Sequence, residues 1–450
     1  MNAASFLTDF HTVATIGATA NNGVDRQAAT AEDAQTRDWF AAWVREAGWE
    51  LRTDSIGNMF GLVEWTPGAP YIVIGSHLDS QPLGGRFDGA YGVIAALHAA
   101  RQISADVEAG AERPRFNLAV VNWFNEEGGR FAPSIMGSSV YAGLLSREKM
   151  LAVTDLQGTT VRDALEGIGY LGTQEAPEAA GYAEIHIEQG RILEREETAI
   201  GVVDSSWYTQ KLDIEVLGEQ SHTGATAMAD RHDALVAASR IILMVHDVTE
   251  EFAEGALVSS VGQMTLEPNS PIVVARRVHL VADLRSGDPR IVMAARAKLM
   301  KDIDDLARKH DINVNVTDFD IRPIRRFPQE GLELAERVAA GLGLSSRRIQ
   351  TMAGHDSVAM NTVAPSVMLF IPSVDGVSHC EREFSTDDDM VRGLEMLTGV
   401  ARQLVSGALE GTATGTSDAP ESTGAAETTG APEGAAAPAA TAAPADAVRS

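Results

Sequence analysis

Two apolar runs on either side of a helical pattern constrain the fold of this chain more than any other feature. The segments "YIVIGSHLDS" (71–80) and "FNLAVVNWFNEEGG" (116–129) begin with β-branched and other apolar residues, which is typical of strands buried on both faces. Between them, "DGAYGVIAALHAARQIS" predicts a crossover helix. The sequence therefore predicts an α/β fold with a mostly parallel sheet, in which functional residues follow the carboxyl ends of the strands.

The pattern changes near residue 209. Here "QKLDIEVLGE" and later "RRVHLVADLRS" alternate apolar and polar residues, as strands with one exposed face do. A long amphipathic helical pattern accompanies each of them, so we expect 209–324 to be an inserted α+β domain with the order strand-helix-strand-strand-helix-strand. The first pattern then returns, which predicts a discontinuous catalytic domain made of residues 1–208 and 325–408.

Residues 409–450 are predicted to form a disordered, low-complexity tail. The last forty residues are mostly Ala, Thr, Gly and Pro without an aromatic residue, so they bury too little apolar surface to offset the entropy of ordering. Only five of the 63 acidic residues lie in this stretch. The acidity of the chain therefore belongs mainly to its folded part.

Charge and composition argue against several classes of partner. The formal net charge of −27 disfavours nucleic acid and anionic membranes, because both attract basic surfaces. No apolar run is long enough for a transmembrane helix, and the N-terminal segment lacks the pattern of a secretory signal. The single cysteine, Cys380, excludes an internal disulfide and suits a reducing compartment. We therefore expect a cytoplasmic protein.

The second apolar run ends in two adjacent carboxylates, Glu126 and Glu127. Burying one carboxylate is costly, and burying two together is costlier unless a positive group lies between them. Because neighbouring residues of a strand point in opposite directions, the two side chains need not share one role. One can bind a metal ion while the other acts as a general base.

Further motifs place metal-binding residue types near strand ends. "GSHLDS" contains His77 and, two residues later, Asp79, which is expected to hydrogen-bond the imidazole and fix its tautomer. "GGRFDGAYG" places Asp88 in a glycine-rich turn before the crossover helix. "AEIHIEQG" and "GVSHCERE" supply His186 and His379. These histidines and carboxylates suit a pair of Zn²⁺-like ions with a bridging carboxylate.

Six motifs in this order resemble one known family. "GSHLDS", "GGRFDGAYGV", "NEEGGRF", "HIEQG", "SHTGATAM" and "GVSHCERE" are similar to those of the metal-dependent amidohydrolase branch of the M20 peptidase clan. This hydantoinase/carbamoylase branch contains N-carbamoyl-L-amino-acid hydrolases, allantoate amidohydrolase and β-ureidopropionase of the yeast type. The resemblance extends over residues 5–405. It implies a metallopeptidase-like catalytic domain, and it implies that the inserted domain serves as a lid and as the interface of a homodimer.

The resemblance also implies two divalent metal ions per subunit. The implied ligands are His77 and His186 for one ion, Glu127 and His379 for the other, and Asp88 as the bridge. Glu126 would be the general base that activates water. Zn²⁺ is the expected metal, with Mn²⁺, Co²⁺ or Ni²⁺ as alternatives.

By the same resemblance, the inserted domain would contact the substrate. His222 of "SHTG" would polarise the scissile carbonyl, and Arg285 of "DLRS" would hold the substrate carboxylate. Asn269 would add a contact from the same domain, and Gln189 of "HIEQG" would add one from the catalytic domain.

Together these residues predict a hydrolase that releases amino acid, CO2 and ammonia from an N-carbamoyl-L-amino acid. Allantoate amidohydrolase and β-ureidopropionase are the alternatives within the branch. The chain has Thr-Ala-Met at 226–228 and Arg-His-Asp at 231–233, where the family usually has Thr-Pro-Met and Arg-Arg-Asp, so the identity of the ureido acid stays open. An aminopeptidase or acylamino-acid deacylase is disfavoured, because those branches usually carry a carboxylate at the position of His186. A non-enzymatic scaffold is disfavoured because Glu126 and all the ligands are present.

Two other patterns receive no functional assignment. "GIGYLG" (167–172) matches G-x-G-x-x-G but follows a helical pattern rather than a strand, which argues against a dinucleotide site. Cys380 is next to His379, yet neighbouring side chains of an extended segment point apart, and a thiol nucleophile is not required here.

Overall fold

A computed structural model describes residues 2–418 of the 450-residue chain. These residues form a ten-stranded sheet, a four-stranded sheet and one short two-stranded pair. The strands are β1 (Glu50–Thr53), β2 (Met59–Val63), β3 (Tyr71–His77), β4 (Asn117–Trp123), β5 (Ala179–Ile187), β6 (Ile200–Ser206), β7 (Tyr208–Leu217), β8 (Ser221–His222), β9 (Val258–Glu267), β10 (Val273–Val274), β11 (Arg277–Ser286), β12 (Asn313–Arg322), β13 (Ile324–Arg326), β14 (Ser346–Thr351), β15 (Ser366–Ile371) and β16 (Thr416–Asp418). The α-helices are α1 (Ala3–Val13), α2 (Ala31–Glu46), α3 (Ala90–Glu108), α4 (Met136–Tyr141), α5 (Arg147–Leu151), α6 (Val161–Gly167), α7 (Ile192–Arg195), α8 (Ala234–Asp247), α9 (Pro289–His310), α10 (Gln329–Leu342), α11 (Asp356–Met360) and α12 (Asp387–Val405).

The centre of the large sheet is parallel. Strands β4, β3, β5 and β15 lie side by side in this order and run in the same direction. Antiparallel neighbours flank them, with β2 and β1 beyond β4 and with β6, β13 and β16 beyond β15, while β14 pairs parallel with β6. This arrangement confirms the predicted α/β fold with a mostly parallel sheet.

Helix α3 is the predicted crossover between β3 and β4, and almost all residues of its first three turns are buried. It packs against the central strands on one side and against α12 on another. Gly92 permits this close approach, because a Cβ at that position would lie 2.4 Å from the carbonyl oxygen of Ile185 in β5. The loop that precedes α3 is thereby held over the carboxyl ends of the central strands.

The four-stranded sheet has the order β12-β7-β11-β9 with antiparallel neighbours throughout. Helices α8 and α9 cover one face, where Leu212, Ile214 and Leu280 are fully buried in a hydrophobic core separate from that of the large sheet. Apart from the short strands β8 and β10, which the sequence analysis did not predict, the order of strands and helices in this region is the one predicted from the sequence. The exact limits of the inserted domain, 209 and 324, stay a prediction.

The strands formed by the two apolar runs end earlier than the sequence pattern predicts. Strand β3 ends at His77 and β4 ends at Trp123, and the polar residues that follow each strand lie in loops. After β4 the chain turns at Asn125, which has a positive φ of 51°. The adjacent glutamates therefore lie in a loop, and their different directions come from this turn rather than from the pleat of a strand.

The predicted tail, 409–450, starts inside the described residues. Leu409 is buried against the core of the large sheet, and β16 pairs with β13 at the sheet edge. Residues 419–450 lie outside the described part of the chain, so the prediction of disorder there is not addressed.

Among residues 2–418, no helix has the length and apolar character that a membrane span requires.

Candidate metal centre

Two neighbouring parallel strands end in the histidines of the centre. His77 is the last residue of β3, and His186 lies near the end of β5, which pairs with β3. Because both strands run in the same direction, the two imidazoles reach the same edge of the sheet. Their rings stack with centroids 5.9 Å apart, and both side chains are buried.

Asp88 lies between two groups of ligand atoms. Its Oδ1 is 2.9 Å from Nε2 of His186 and 3.5 Å from Nε2 of His77. Its Oδ2 is 3.4 Å from Nε2 of His379, which in turn is 3.3 Å from Oε2 of Glu127. Each oxygen of Asp88 thus faces a different group, and each group has atoms close enough together to hold one metal ion. This is the position that a bridging carboxylate requires.

The two buried histidines direct Nε2 toward Asp88, and Nε2 of His186 also accepts the backbone N–H of Gly89 at 3.2 Å. The Nδ1–H of His77 donates to the backbone carbonyl oxygen of Asp79 at 3.0 Å, and the Nδ1–H of His186 donates to that of Ile187 at 3.0 Å. These bonds leave Nε2 of each ring as an acceptor. Nε2 of His77 is buried and has no hydrogen-bond partner within residues 2–418. A buried acceptor that lies next to carboxylates and has no hydrogen-bond partner is typical of a metal ligand. The residues therefore fit a cation.

The charges of this cluster favour a cation in the same place. Burial raises the pKa of Glu126 well above its ordinary value and also raises the pKa of Glu127. Burial opposes protonation of His186, but the charge of Asp88 and its hydrogen bond outweigh burial and raise the pKa of His186 to about 9. Burial is likewise outweighed at His379, where Glu127 and Asp88 raise the pKa to about 10. Because metal ions bind neutral imidazole, a divalent ion can replace these protons.

Glu126 and Glu127 make different contacts. Oε2 of Glu126 is 3.5 Å from Nε2 of His77, whereas Glu127 approaches His379 and accepts hydrogen bonds from the backbone N–H and the side-chain amide of Gln81. Asp79 fixes both glutamates, because its two carboxylate oxygens accept their backbone N–H groups at 3.2 and 3.3 Å. The predicted contact of the Asp79 carboxylate with the His77 ring is longer, at 3.6 Å, and the ring donates to the Asp79 backbone instead.

The structure reveals two supporting residues that the sequence analysis did not identify. Glu383 accepts the backbone N–H groups of Phe87 and Asp88, each at 3.0 Å, and so holds the bridging aspartate in place. His355 lies edge-to-face against His186 with ring centroids 4.6 Å apart. Glu383 belongs to the same motif as His379, "GVSHCERE", so the sequence could have indicated its role. His355 lies outside all the motifs, so no such indication came from the sequence.

Three residues at this centre have a strained backbone. Asn125, Gln189 and His379 have φ values of 51°, 58° and 54°, a region that residues other than glycine seldom adopt. Such residues cluster at functional sites because the surrounding structure must hold them there. The strained conformation lets the amide of Gln189 donate to Oδ2 of Asp88 at 2.7 Å.

The metal-binding groups open into a cavity of about 320 Å³ between the two sheets. From the catalytic side it is lined by Asp88, Glu126, His186 and His379. From the small sheet it is lined by Thr209, Lys211, Asp283, Arg285 and Arg322. Of the predicted substrate contacts, Arg285 and Gln189 line this cavity, whereas His222 and Asn269 do not. Both of the latter are exposed on the inserted region.

Known proteins are similar to this chain over most of its length. The family model of Peptidase family M20/M25/M40 matches residues 73–403. A protein of Mycolicibacterium smegmatis named only as a hydrolase is 47% identical over 416 residues, which cover 91% of this chain and 95% of that protein. The N-carbamoyl-L-amino-acid amidohydrolase of Rhizobium meliloti is 36% identical over 388 residues, which cover 86% of this chain and 92% of that protein. Other relatives include an allantoate amidohydrolase of Bacillus subtilis.

The comparison of structures agrees with this result. The crystal structure of an amidase of the hydantoinase/carbamoylase family from Burkholderia vietnamiensis matches with a TM-score of 0.87 and 33% sequence identity. The match covers 90% of this chain and 98% of that chain.

Replacing Gly89 by alanine is expected to weaken metal binding. Gly89 has a φ of 62°, and a Cβ there would lie 2.4 Å from the His77 ring, so the imidazole would have to move away from Asp88. We expect metal affinity to fall by at least about tenfold, measured by competition with a coloured chelator. Gly68→Ala is the matched control, because Gly68 has a φ of 77° and no atom within 4 Å of a Cβ. Unchanged affinity in Gly89→Ala would contradict the role given to His77.

Proposed function

Because this chain belongs to peptidase family M20/M25/M40 and is a metal-dependent amidohydrolase of its carbamoylase and allantoate branch, we propose that it hydrolyses the N-carbamoyl bond of an N-carbamoyl-L-amino acid. The products are the amino acid, CO2 and ammonia. One observation carries this proposal: a single cavity contains the ligand cluster around Asp88, the carboxylate of Glu126 and the guanidinium of Arg285. These are the parts that a ureido acid requires, namely a centre for its carbonyl, a base, and a cation for its carboxylate.

We assign two divalent cations per subunit to the centre, with Zn²⁺ as the first choice and Mn²⁺, Co²⁺ or Ni²⁺ as alternatives. The proposed ligands are His77 and His186 for one ion, Glu127 and His379 for the other, and the two oxygens of Asp88 for one ion each. When bound, such ions polarise a carbonyl and lower the pKa of water, which supplies a nucleophile near neutral pH.

Glu126 is proposed as the general base. Its carboxylate lies beside the ligand cluster, 3.5 Å from Nε2 of His77, but it belongs to neither group of candidate ligands. It therefore remains available to take a proton from the attacking water and to deliver this proton to the leaving nitrogen.

Arg285 is proposed to bind the substrate carboxylate. Its Nε and Nη2 donate to Asp283, and its Nη1 donates to the backbone oxygen of Met352. Since a guanidinium has five N–H donors, one on each terminal nitrogen remains for a bidentate contact with a carboxylate. Gln189 complements it, because Oε1 of Gln189 is buried without a partner in the described chain and can accept a ureido N–H.

The proposed dimer would form through the inserted domain. Strand β9 is at the edge of the four-stranded sheet, and it has no further strand beside it among residues 2–418. Large apolar side chains are exposed along this strand and the adjacent α8, namely Val258, Met264, Val236 and Leu243. An open sheet edge with apolar groups beside it suits pairing with a second copy of the chain.

A second copy also gives His222 a role. Its Nδ1 accepts the backbone N–H groups of Gly224 and Ala225, so Nε2 carries the proton and can donate to a developing oxyanion. Since His222 does not line the cavity of its own chain, we propose that it acts in the active site of the other copy. Asn269 is also exposed, and it would likewise contact the substrate in the active site of the other copy.

Allantoate amidohydrolase is the second candidate function, because a relative with that name is 30% identical over 399 residues, which cover 87% of this chain. β-Ureidopropionase activity requires the same parts. The histidine at ligand position 186 disfavours the peptidase branches, which usually carry a carboxylate there. The cytoplasmic location expected from the single cysteine stays a prediction.

Replacing Glu126 by glutamine is expected to reduce kcat by about 10²- to 10⁴-fold, because the proton acceptor is lost while the shape is kept. Metal content and KM should stay near those of the wild type. The assay uses metal-reloaded protein with N-carbamoyl-L- and D-amino acids, N-carbamoyl-β-alanine, allantoate, an N-acetyl amino acid and a dipeptide, and it scores free amine and ammonia. Glu108→Gln, at an exposed glutamate at the end of α3, is the control.

The substrate panel separates the candidates. Turnover of the N-carbamoyl-L-amino acids supports the proposal, and preference for allantoate or N-carbamoyl-β-alanine changes the substrate but keeps the mechanism. Cleavage of the dipeptide alone would refute the carbamoylase assignment. Full activity of Glu126→Gln would refute the role of this base.

Mixing two inactive variants tests the exchange of His222 between copies. Glu126→Gln and His222→Ala are each expected to have low activity. In a mixed dimer, one active site then receives an intact Glu126 and an intact His222, so an equal mixture that exchanges subunits should recover roughly a quarter of wild-type activity. If His222 acts within its own chain, the mixture should show no recovery after subunit exchange.

A further inference from the structure

One face of the small sheet carries two rows of mostly charged residues, and most of these residues line the cavity. Across strands β11, β7 and β12, the first row is Arg285, Thr209 and Arg322, and the second row is Asp283, Lys211 and Asp320. Residues two apart in a strand share a face, so both rows lie on the same face of the sheet. Thr209 and Lys211 line the cavity together with Arg285 and Arg322, on the side opposite the metal-binding groups.

Each aspartate of the second row is held by an arginine of its own strand. Arg285 donates to both carboxylate oxygens of Asp283, with its shortest contact at 2.6 Å. Arg322 donates to the two oxygens of Asp320 at 2.9 and 2.8 Å. Within each bidentate pair, the positive charge of the arginine largely compensates the negative charge of the aspartate.

Lys211 is left between the two pairs. Its ammonium lies 3.7 Å from Oδ2 of Asp320, which is longer than a hydrogen bond, and it makes no hydrogen bond in the described part of the chain. The side chain is only 20% exposed. Leaving a mostly buried ammonium without a hydrogen-bonded acceptor is costly, so a ligand that supplies an acceptor would bind here favourably.

We infer that Lys211 binds a second carboxylate of the substrate, so that the preferred substrates are ureido acids with an acidic side chain, such as the N-carbamoyl derivatives of L-glutamate and L-aspartate. This inference rests on the proposed function, in which Arg285 binds the α-carboxylate. The two rows contain three cations and two carboxylates, so they carry a net positive charge that favours the anionic groups of a substrate. Lys211 and Arg285 are diagonal neighbours on adjacent strands, about 7–8 Å apart at the backbone, and their long side chains can reach the two ends of one small diacid.

A structural role for Lys211 is the competing explanation. In that case the ammonium would only soften the repulsion between Asp283 and Asp320, and its removal would destabilise the protein without changing the choice of substrate. The two explanations differ in what they predict for a charged and an uncharged substrate of equal shape.

The test compares N-carbamoyl-L-glutamate with N-carbamoyl-L-glutamine, which differ in the charge of the side chain and hardly in shape. In the wild type, kcat/KM is expected to be about 10- to 100-fold higher for the glutamate derivative, mainly through a lower KM, as for a hydrogen bond to a charged group. In Lys211→Met this ratio should fall to near one. Lys298→Met, at a lysine of α9 that pairs with Asp302 outside the cavity, should keep the wild-type ratio.

Binding is measured separately by titration calorimetry of N-carbamoyl-L-glutamate into metal-loaded Glu126→Gln protein with and without Lys211→Met. The affinity should fall by the same factor as kcat/KM. If Lys211→Met does not fold, Lys211→Gln serves as the second variant, since it removes the charge but keeps a polar group.

The outcomes separate this inference from the proposed function. If the wild type cleaves both compounds equally, or if Lys211→Met keeps the preference, the inference is overturned while the proposed function stands. If neither compound is cleaved but other N-carbamoyl-L-amino acids are, the inference is overturned while the proposed function stands. If no N-carbamoyl-L-amino acid is cleaved, the proposed function fails, and calorimetry decides the role of Lys211. Equal affinity with and without Lys211 would then overturn the inference as well.

Discussion

The crowding of buried carboxylates at one edge of the parallel sheet is the constraint on which the rest of this structure depends. Asp88 and Glu127 both approach the same nitrogen of His379, at 3.4 and 3.3 Å, and Glu126 lies beside them. Acids in such positions are tolerated only next to positive charge, because burial penalises each ionised carboxylate and the carboxylates repel one another. The neighbouring imidazoles direct nitrogen atoms into the same space, and the buried Nε2 of His77 has no other partner among the described residues. The proposed pair of metal ions would compensate these negative charges more completely than protons can.

Polar contacts rather than apolar packing hold the loops of the centre. Asp79 accepts the N–H groups of the two glutamates, and Glu383 accepts those of Phe87 and Asp88. Behind them, the buried guanidinium of Arg26 donates to the backbone oxygens of Leu78 and Val13, although burial lowers the pKa of Arg26 to about 10. The bonds to Asp79, Glu383 and Leu78 fix the backbone of ligand-bearing loops, and the bond to Val13 links Arg26 to the end of α1. The strained φ values at the centre are sustained in this way, because the loop positions are over-determined by their hydrogen bonds.

The large sheet and the ligand-bearing motifs could be predicted because their signals are local. Apolar runs mark β3 and β4, and each candidate ligand belongs to a short motif next to a strand. The contacts that depend on distant pairing could not be predicted. Lys211 lies between two aspartates only because β7 pairs with β11 and β12 in one register, and alternation alone does not reveal this register. The separation of Glu126 from Glu127 follows from the turn at Asn125, which the apolar pattern does not show. In the proposed dimer, His222 would reach a cavity only in a second copy, which no pattern within one chain specifies.

Anomalous scattering from crystals of zinc-loaded protein tests the central claim most directly, because it locates each ion without reference to activity. The account predicts two peaks in the anomalous difference map, about 3.5–4 Å apart as in other two-metal centres. One peak should lie beside His77 and His186, the other beside Glu127 and His379, with Asp88 between them. A single peak, or peaks that Asp88 does not contact, would contradict the account.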